Sequence, residues 1–210
     1  MKFFWALLLG MFSVNVLAEQ LSVDYKSFYI HVRKLDDEDT QALQFAFGFL
    51  HVQEQRLCKI ESAMITTQKQ NLPLEVSLEN RFTVPVDKIL KLAKAKVVID
   101  LQDQANQCDM SVQIETKAKY LKRIYTQQEL LFLFNQYETF FADMGGFLSF
   151  MMPIATGLTF YFHQPPANGH NRSGLAPKNN KLVLSKAWIE ANNELLLDHT
   201  PFRITAVTSK

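Results

Sequence analysis

Hydrophobic and polar residues alternate along several short stretches of the 210-residue chain. In the clearest of them, Leu43, Phe45, Phe47 and Phe49 occupy every second position. A period of two residues is typical of a strand with one buried face. This alternation, or a continuous apolar run, predicts strands at residues 43–49, 57–67, 75–84, 96–101, 108–115, 182–184 and 202–207. The polar residues at the alternate positions favour antiparallel sheets.

The pattern changes to a helical period between residues 127 and 144. Thr126 and Glu129 have the spacing of a capping box at the N-terminal end, and two glycines follow the C-terminal end. The predicted polar side of this helix includes Gln136. Its predicted apolar side consists of Leu130, Leu133, Phe134, Tyr137, Phe140, Phe141 and Met144. Asp87 is the predicted N-cap of a shorter helix at 88–94.

These elements predict a β-rich α+β fold, with an antiparallel sheet in one or two layers and one long amphipathic helix packed on it. We expect a single globular domain over residues 19–210. Residues 163–181 are rich in Pro, Gly and Asn, which predicts a long exposed loop. The uncharged stretch at 145–162 is interrupted by Pro153 and Gly157, so two buried segments fit it better than a membrane span.

Residues 1–18 have the features of a cleavable signal peptide. Lys2 precedes an apolar run at 3–14, and Val16 and Ala18 occupy the −3 and −1 positions of a signal peptidase site. An uncleaved membrane anchor is the alternative, but a helix needs about 20 apolar residues to span a bilayer. We therefore expect cleavage after Ala18 and a periplasmic protein, with secretion as the alternative. The mature chain is expected to contain no transmembrane span.

The chain has two cysteines, Cys58 and Cys108. An oxidising compartment favours a disulfide between them, and each lies in an alternating segment with its thiol on the apolar side. Such a bond would close a loop of about 50 residues and would stabilise the fold by about 4 kcal/mol in the chain-entropy account. Two separate buried thiols are the alternative.

Composition and charge exclude several classes of protein. Hydrophobic residues make up 48% of the chain and charged residues 20%, which excludes a disordered or coiled-coil protein. After the loss of Lys2, 21 basic residues balance 21 acidic ones, so no overall field would attract nucleic acid. The sequence contains no motif for a nucleophilic serine, a phosphate-binding loop or a zinc protease. It therefore indicates no cofactor and no metal site.

The phenylalanines are unevenly distributed, since eight of the 17 lie between residues 132 and 162. Large aromatic side chains dominate core burial, so a core helix packed on a sheet explains most of them. Leu131 and Phe132, however, fall outside the apolar side of the long helix. Together with Phe147 and Phe150, they form the candidate surface for a partner protein or an apolar ligand.

A second candidate site is the polar cluster of the predicted loop, which contains His163, His170 and Arg172. Functional residues concentrate on loops that a scaffold holds in place, although a mobile linker has the same composition. A third candidate is the group of basic residues between positions 88 and 123, which could contact a membrane surface. Interleaved acidic residues make an ordinary solvated face the alternative there.

Several short segments carry a resemblance to a known family. They are YKSFY from Tyr25, CKI from Cys58, FTVPVDK from Phe82, CDMSVQI from Cys108, MMPIATGLTFYF and HTPFRITA. Through them the chain resembles a domain-of-unknown-function family of small exported Gram-negative proteins, over nearly the whole mature chain. The resemblance implies an exported one-domain protein. It transfers no activity and no catalytic residues.

Three functions are compatible with these observations. The first is a non-enzymatic periplasmic binding or interaction protein, whose partner is another periplasmic protein or an apolar ligand. The second is a hydrolase-like enzyme with His163 or His170 as the base, because catalytic groups need only be adjacent in space. The third is a peripheral membrane or lipid-binding protein that uses the basic segment.

Overall fold

The structure, a computed structural model, describes residues 19–145, 153–164 and 173–209. Its strands are β1 (Glu19–Asp24), β2 (Leu43–His51), β3 (Ile60–Thr66), β4 (Asn71–Leu74), β5 (Lys96–Leu101), β6 (Cys108–Thr116), β7 (Ile124–Thr126), β8 (Ile154–Tyr161), β9 (Lys181–Ser185), β10 (Glu194–Leu196) and β11 (Arg203–Ser209). Its helices are α1 (Tyr25–Val32), α2 (Lys88–Leu92), α3 (Gln127–Gly145) and α4 (Lys186–Ala191).

These strands pair antiparallel in small sheets. One sheet has the order β1-β5-β3-β4 and another the order β11-β8-β9, while β10 pairs with β7. β2 and β6 pair over their whole length, from Leu43 opposite Thr116 to His51 opposite Cys108. These findings confirm a β-rich fold with antiparallel sheets and one long helix.

The helix α3 begins at the predicted capping box. The Thr126 N–H donates to Glu129 Oε2 at 2.9 Å, and the Glu129 N–H donates back to Thr126 Oγ1 at 3.3 Å. The buried apolar residues of α3 are Leu130, Leu133, Phe134, Tyr137 and Phe140, as predicted. Gln136 is also buried, contrary to the prediction, because its Oε1 accepts the Ala42 N–H at 2.8 Å. Met144, predicted on the apolar side, is 38% exposed.

The prediction of a strand at residues 75–84 is wrong. The Asn80 N–H donates to the Ser77 carbonyl oxygen at 2.9 Å, which closes a turn, and Asn80 has a φ of 56°. Leu78, at an apolar position of the predicted strand, is 87% exposed. Phe82, after the turn, is buried and pairs with Phe47 of β2 through an isolated bridge. The alternation in this segment therefore belongs to a loop that has one side against the core.

Cys58 and Cys108 form a disulfide, as predicted, with their Cα atoms 6.3 Å apart. The Cys58 N–H also donates to the Phe49 carbonyl oxygen at 2.7 Å, which holds this segment beside β2. A disulfide fits a periplasmic or extracellular protein.

Several predicted features fall outside the described residues. They are the signal peptide at 1–18, the residues Phe147 and Phe150, and His170 and Arg172 of the long loop. Within the described ranges, no helix has both the length and the apolar character needed to cross a membrane.

Candidate functional site

A cavity of about 360 Å³ lies where the turn at 77–80, the β2–β6 pair and the start of β11 meet. We call it the arginine cleft. Its charged lining residues are Glu75, Glu79, Arg81, Glu115, His163 and Arg203. Loop, sheet and edge strand all contribute to this lining, so only the tertiary fold assembles the cluster.

Arg203 opens β11 and is the better anchored of the two arginines. Its Nη1 donates to Glu79 Oε2 at 2.5 Å and to Gln113 Oε1 at 3.4 Å. Its guanidinium carbon lies 4.0 Å from the centroid of the Tyr161 ring, which is a cation–π distance. The Nε atom is buried and has no hydrogen-bond partner among the described residues.

Arg81, at the end of the turn, lies mostly buried and makes weak contacts only. Its Nη1 lies 3.4 Å from the Ala46 carbonyl oxygen and 3.5 Å from that of Ser111, and its Nη2 lies 3.3 Å from Ser111 Oγ. Arg81 forms no ion pair with any described residue, and its buried Nε also lacks a partner there. Burial, and then the charge of Arg203, lower the pKa of Arg81. Arg81 is thus a cation with unused hydrogen-bond donors.

Glu115, from β6, is a partly buried carboxyl of the cleft. Burial raises its pKa, although the Gln44 amide donates to Glu115 Oε1 at 2.9 Å and both arginines act in the opposite direction. Glu79 is bonded to Arg203, and no described carboxylate is bonded to Arg81. Arg81 therefore offers a positive charge to which no described carboxylate is bonded, and this suits an anionic group.

The close approach of the turn to β2 depends on a glycine. A Cβ on Gly48 would lie 2.9 Å from the Asn80 carbonyl oxygen and 3.3 Å from Arg81 Cγ. The turn itself is closed by the Ser77 N–H, which donates to the Arg81 carbonyl oxygen at 2.7 Å. Any larger residue at position 48 would therefore displace the segment that carries Arg81.

The structure brings one of the predicted site residues into the cleft. His163 lies at its edge, with its ring stacked on Phe202 at 4.2 Å between centroids and 17° between planes. Within the described ranges, no group of three or more His, Cys, Asp or Glu is placed to hold a metal ion.

The predicted aromatic surface lies elsewhere. Leu131 and Phe132 are half-buried, and the Phe132 ring lies 5.7 Å from that of Tyr120. Phe132 borders a separate cavity of about 290 Å³, together with Lys119 and Lys122. Phe132 does not line the arginine cleft.

Sequence reasoning missed Arg81, Glu115 and Arg203. Glu115 occupies an ordinary polar position of an alternating strand, and Arg81 follows a turn that the alternation concealed. Arg203 is the first residue of β11, and its neighbours in the sequence, Phe202 and Ile204, are apolar. Such a position gives no indication of a binding site. The three residues are far apart in sequence, so no local motif could have identified the cluster.

A known protein family covers part of the arginine cleft. A family described as "Protein of unknown function (DUF2987)" matches residues 17–162, which is more than half of the chain. The chain belongs to the DUF2987 family. The matched range includes Arg81 and Glu115, whereas His163 and Arg203 lie beyond its end. No curated protein and no solved structure matches the chain.

Proposed function

We propose that this DUF2987 protein is an exported, periplasmic binding domain that holds a small anionic ligand in the arginine cleft. The observation that carries the proposal is the state of Arg81, a mostly buried cation without an ion pair among the described residues. A buried charge is costly unless it is paired, so such a residue favours the binding of an external anion. Cleavage after Ala18 and one domain over residues 19–210 are part of this proposal.

The chemistry of the cleft suits a carboxylate or a phosphate group. A guanidinium presents its donors in a planar fork that matches either group, and hydrogen bonds between charged partners are about twice as strong as neutral ones. Arg203 retains its bond to Glu79, while Arg81 contributes only long contacts to neutral oxygens. Arg81 is therefore the residue with most to gain from a ligand, and Arg203 adds positive charge beside it.

Native mass spectrometry of protein exported to a periplasm tests this function. We expect an adduct that is lost on denaturation and whose mass identifies the anion. The variant Arg81→Met keeps an unbranched apolar stem but removes the charge, so the adduct should disappear. Arg123→Met is the matched control, because Arg123 is exposed and does not line the cleft. Protein without an adduct, or an adduct that Arg81→Met retains, would contradict the proposal.

The surface around Phe132 is a second candidate, for a partner protein. Phe132 keeps part of its ring accessible beside Tyr120, and Lys119 and Lys122 lie at the same cavity. Tyr and Phe side chains are enriched at interaction surfaces. We expect Phe132→Asp to leave the fold intact and to dissociate any oligomer seen in the native spectra. Outright unfolding of this variant would place Phe132 in the core and remove the argument.

A further inference from the structure

The outer edge of β2 is only partly paired. In an antiparallel strand, the N–H and C=O of one residue point to the same side, and successive residues alternate between the two sides. Phe47 exchanges both of its bonds with Phe82 at 2.8 Å, on the side away from β6. The residues of β2 that share this side are Leu43, Phe45, Phe47, Phe49 and His51.

The first two of these positions, Leu43 and Phe45, have no backbone partner on this side among the described residues. Phe49 and His51 bond to the segment that precedes β3, because the Phe49 oxygen accepts the Cys58 N–H at 2.7 Å and the His51 N–H donates to the Arg56 oxygen at 2.8 Å. No such bond joins Phe45 or Leu43 to a neighbouring segment in the described chain. The strand edge is therefore hydrogen-bonded at one end and unpaired at the other, within the described residues.

Hydrogen bonds of the Tyr25 hydroxyl hold the chain that follows Phe82 away from the edge of β2. Beyond Phe82, the chain would continue along β2, but the Tyr25 hydroxyl donates to the Pro85 carbonyl oxygen at 2.5 Å. The same hydroxyl accepts the Asp87 N–H at 3.1 Å. Pro85 also has no N–H to offer to a neighbouring strand. Residues 85–87 are thus held against α1, away from β2.

A cavity of about 450 Å³ opens at the uncovered part of the edge. Its walls are largely aliphatic and include Val32, Leu35, Val84 and Val86, while Lys117 is its basic residue. Both Leu43 and Phe45 line it. The cavity thus adjoins the part of β2 whose backbone groups have no partner on this side among the described residues.

We propose that the open edge of β2 at Leu43 and Phe45 binds an extended segment of a partner polypeptide as an added strand. Leu43 is fully buried and Phe45 nearly so, and a buried backbone group without a partner costs free energy. A lipid chain would fill the cavity but would leave these N–H and C=O groups unpaired. A peptide in extended conformation satisfies both groups and places every second side chain against the aliphatic walls.

Hydrogen exchange in the ligand-free protein is the first test. We expect the Phe45 amide to exchange at least about tenfold faster than the Phe47 amide, although both belong to β2. Equal protection of the two amides would overturn the proposal, because it would mean that the edge is already covered.

Binding of a defined peptide is the second test. The probe is a capped hexapeptide of alternating Thr and Val at up to about 1 mM, and the control is the same peptide with alternate backbone nitrogens methylated. We expect the unmethylated peptide to slow exchange at Phe45, and the methylated peptide to have no effect, because it cannot pair along a strand edge. No effect of either peptide, or equal binding of both, would overturn the proposal.

Substitutions of two exposed aliphatic residues test whether the peptide binds at this cavity or elsewhere on the surface. Val86 lines the cavity, whereas Ile89, three residues away, does not. Val86→Asp should weaken peptide binding at least about fivefold, which corresponds to about 1 kcal/mol, and Ile89→Asp should leave it unchanged. Equal effects of the two substitutions would overturn the assignment of this edge.

Discussion

The Tyr137 hydroxyl on α3 donates to the Ile204 carbonyl oxygen on β11 at 2.7 Å. The same hydroxyl lies 3.0 Å from Thr116 Oγ1 on β6, which can donate to it. Ile204 directly follows Arg203, and Thr116 directly follows Glu115. One buried phenol thus joins the two strands that carry opposite charges of the arginine cleft, and it couples the long helix to the geometry of the site.

Tyr137→Phe should therefore weaken both the fold and the cleft. Removal of the hydroxyl leaves the buried Ile204 oxygen and the buried Thr116 hydroxyl without this partner, at a cost of about 1–3 kcal/mol. We expect urea denaturation to show a free energy of unfolding reduced by that amount. The anion adduct should also become weaker, because β6 and β11 lose their common tie.

Tyr29→Phe is the control for the loss of a phenol. Tyr29 is half-buried on α1, and its hydroxyl makes no hydrogen bond with the described residues. Its substitution should change the free energy of unfolding by less than about 0.5 kcal/mol. If Tyr137→Phe were equally mild, the hydroxyl bridge would not hold the two strands together.

Glu115 should make the stability of the protein depend on pH. Because burial raises its pKa above the ordinary value of 4.5, the folded state favours the protonated form. The stabilisation from that form is complete below pH 4.5 and is lost as the pH rises through the folded pKa. Arg81 and Arg203 oppose this effect and Glu79 adds to it. Glu115→Gln should therefore match the wild type near pH 4 and exceed its stability at pH 8.

The pKa of Asp103 is shifted in the opposite direction to that of Glu115. Its bonds with the Arg56 guanidinium, at 2.6 and 3.0 Å, lower the pKa of Asp103 to about 2. The ionised form is favoured in the folded state, so its contribution is present above pH 3.8 and is lost as the pH falls towards 2. Asp103→Asn should destabilise the protein at pH 7 and less so in acid. Denaturation series over pH 3–8 that show the same trend for both variants would contradict these assignments.

Elements of secondary structure can be predicted from the sequence where interactions between neighbouring residues determine them. The capping box that starts α3 and the alternation in β2 involve residues within a few positions of one another, and both appear in the structure. The helical period places Gln136 on the wrong side of α3, because its partner, the Ala42 N–H, lies 94 positions away. The arginine cleft was missed for the same reason, since Arg203 and Glu79 are 124 positions apart.

The Cys58–Cys108 disulfide should contribute strongly to the free energy of unfolding. It closes a separation of 50 residues, for which the chain-entropy account gives about 4 kcal/mol. Reduction, or the double substitution Cys58→Ala and Cys108→Ala, should therefore lower the free energy of unfolding by about 2–4 kcal/mol. The two treatments should agree closely in chemical denaturation. Equal stability of the oxidised and reduced proteins would show that packing around the cysteines, rather than the bond, holds the segment before β3 against β6.

Gly48→Ala should impair the arginine cleft more than it impairs the fold. The added Cβ would meet the Asn80 oxygen at 2.9 Å, and the turn that carries Asn80 can shift because it lies at the surface. We expect a loss of stability of about 1 kcal/mol or less, together with a weaker anion adduct because Arg81 moves with the turn.

Gly157→Ala is the contrasting variant, because the same added methyl group meets a backbone that cannot move alone. Its Cβ would lie 2.1 Å from the Leu184 carbonyl oxygen, in the pairing between β8 and β9. β8 is the middle strand of its sheet, so relief requires β9 to separate from it. We expect a loss of at least about 2 kcal/mol in urea denaturation. If Gly48→Ala and Gly157→Ala proved equally destabilising, the turn would be as rigid as the sheet, and the weaker adduct could not be assigned to movement of Arg81.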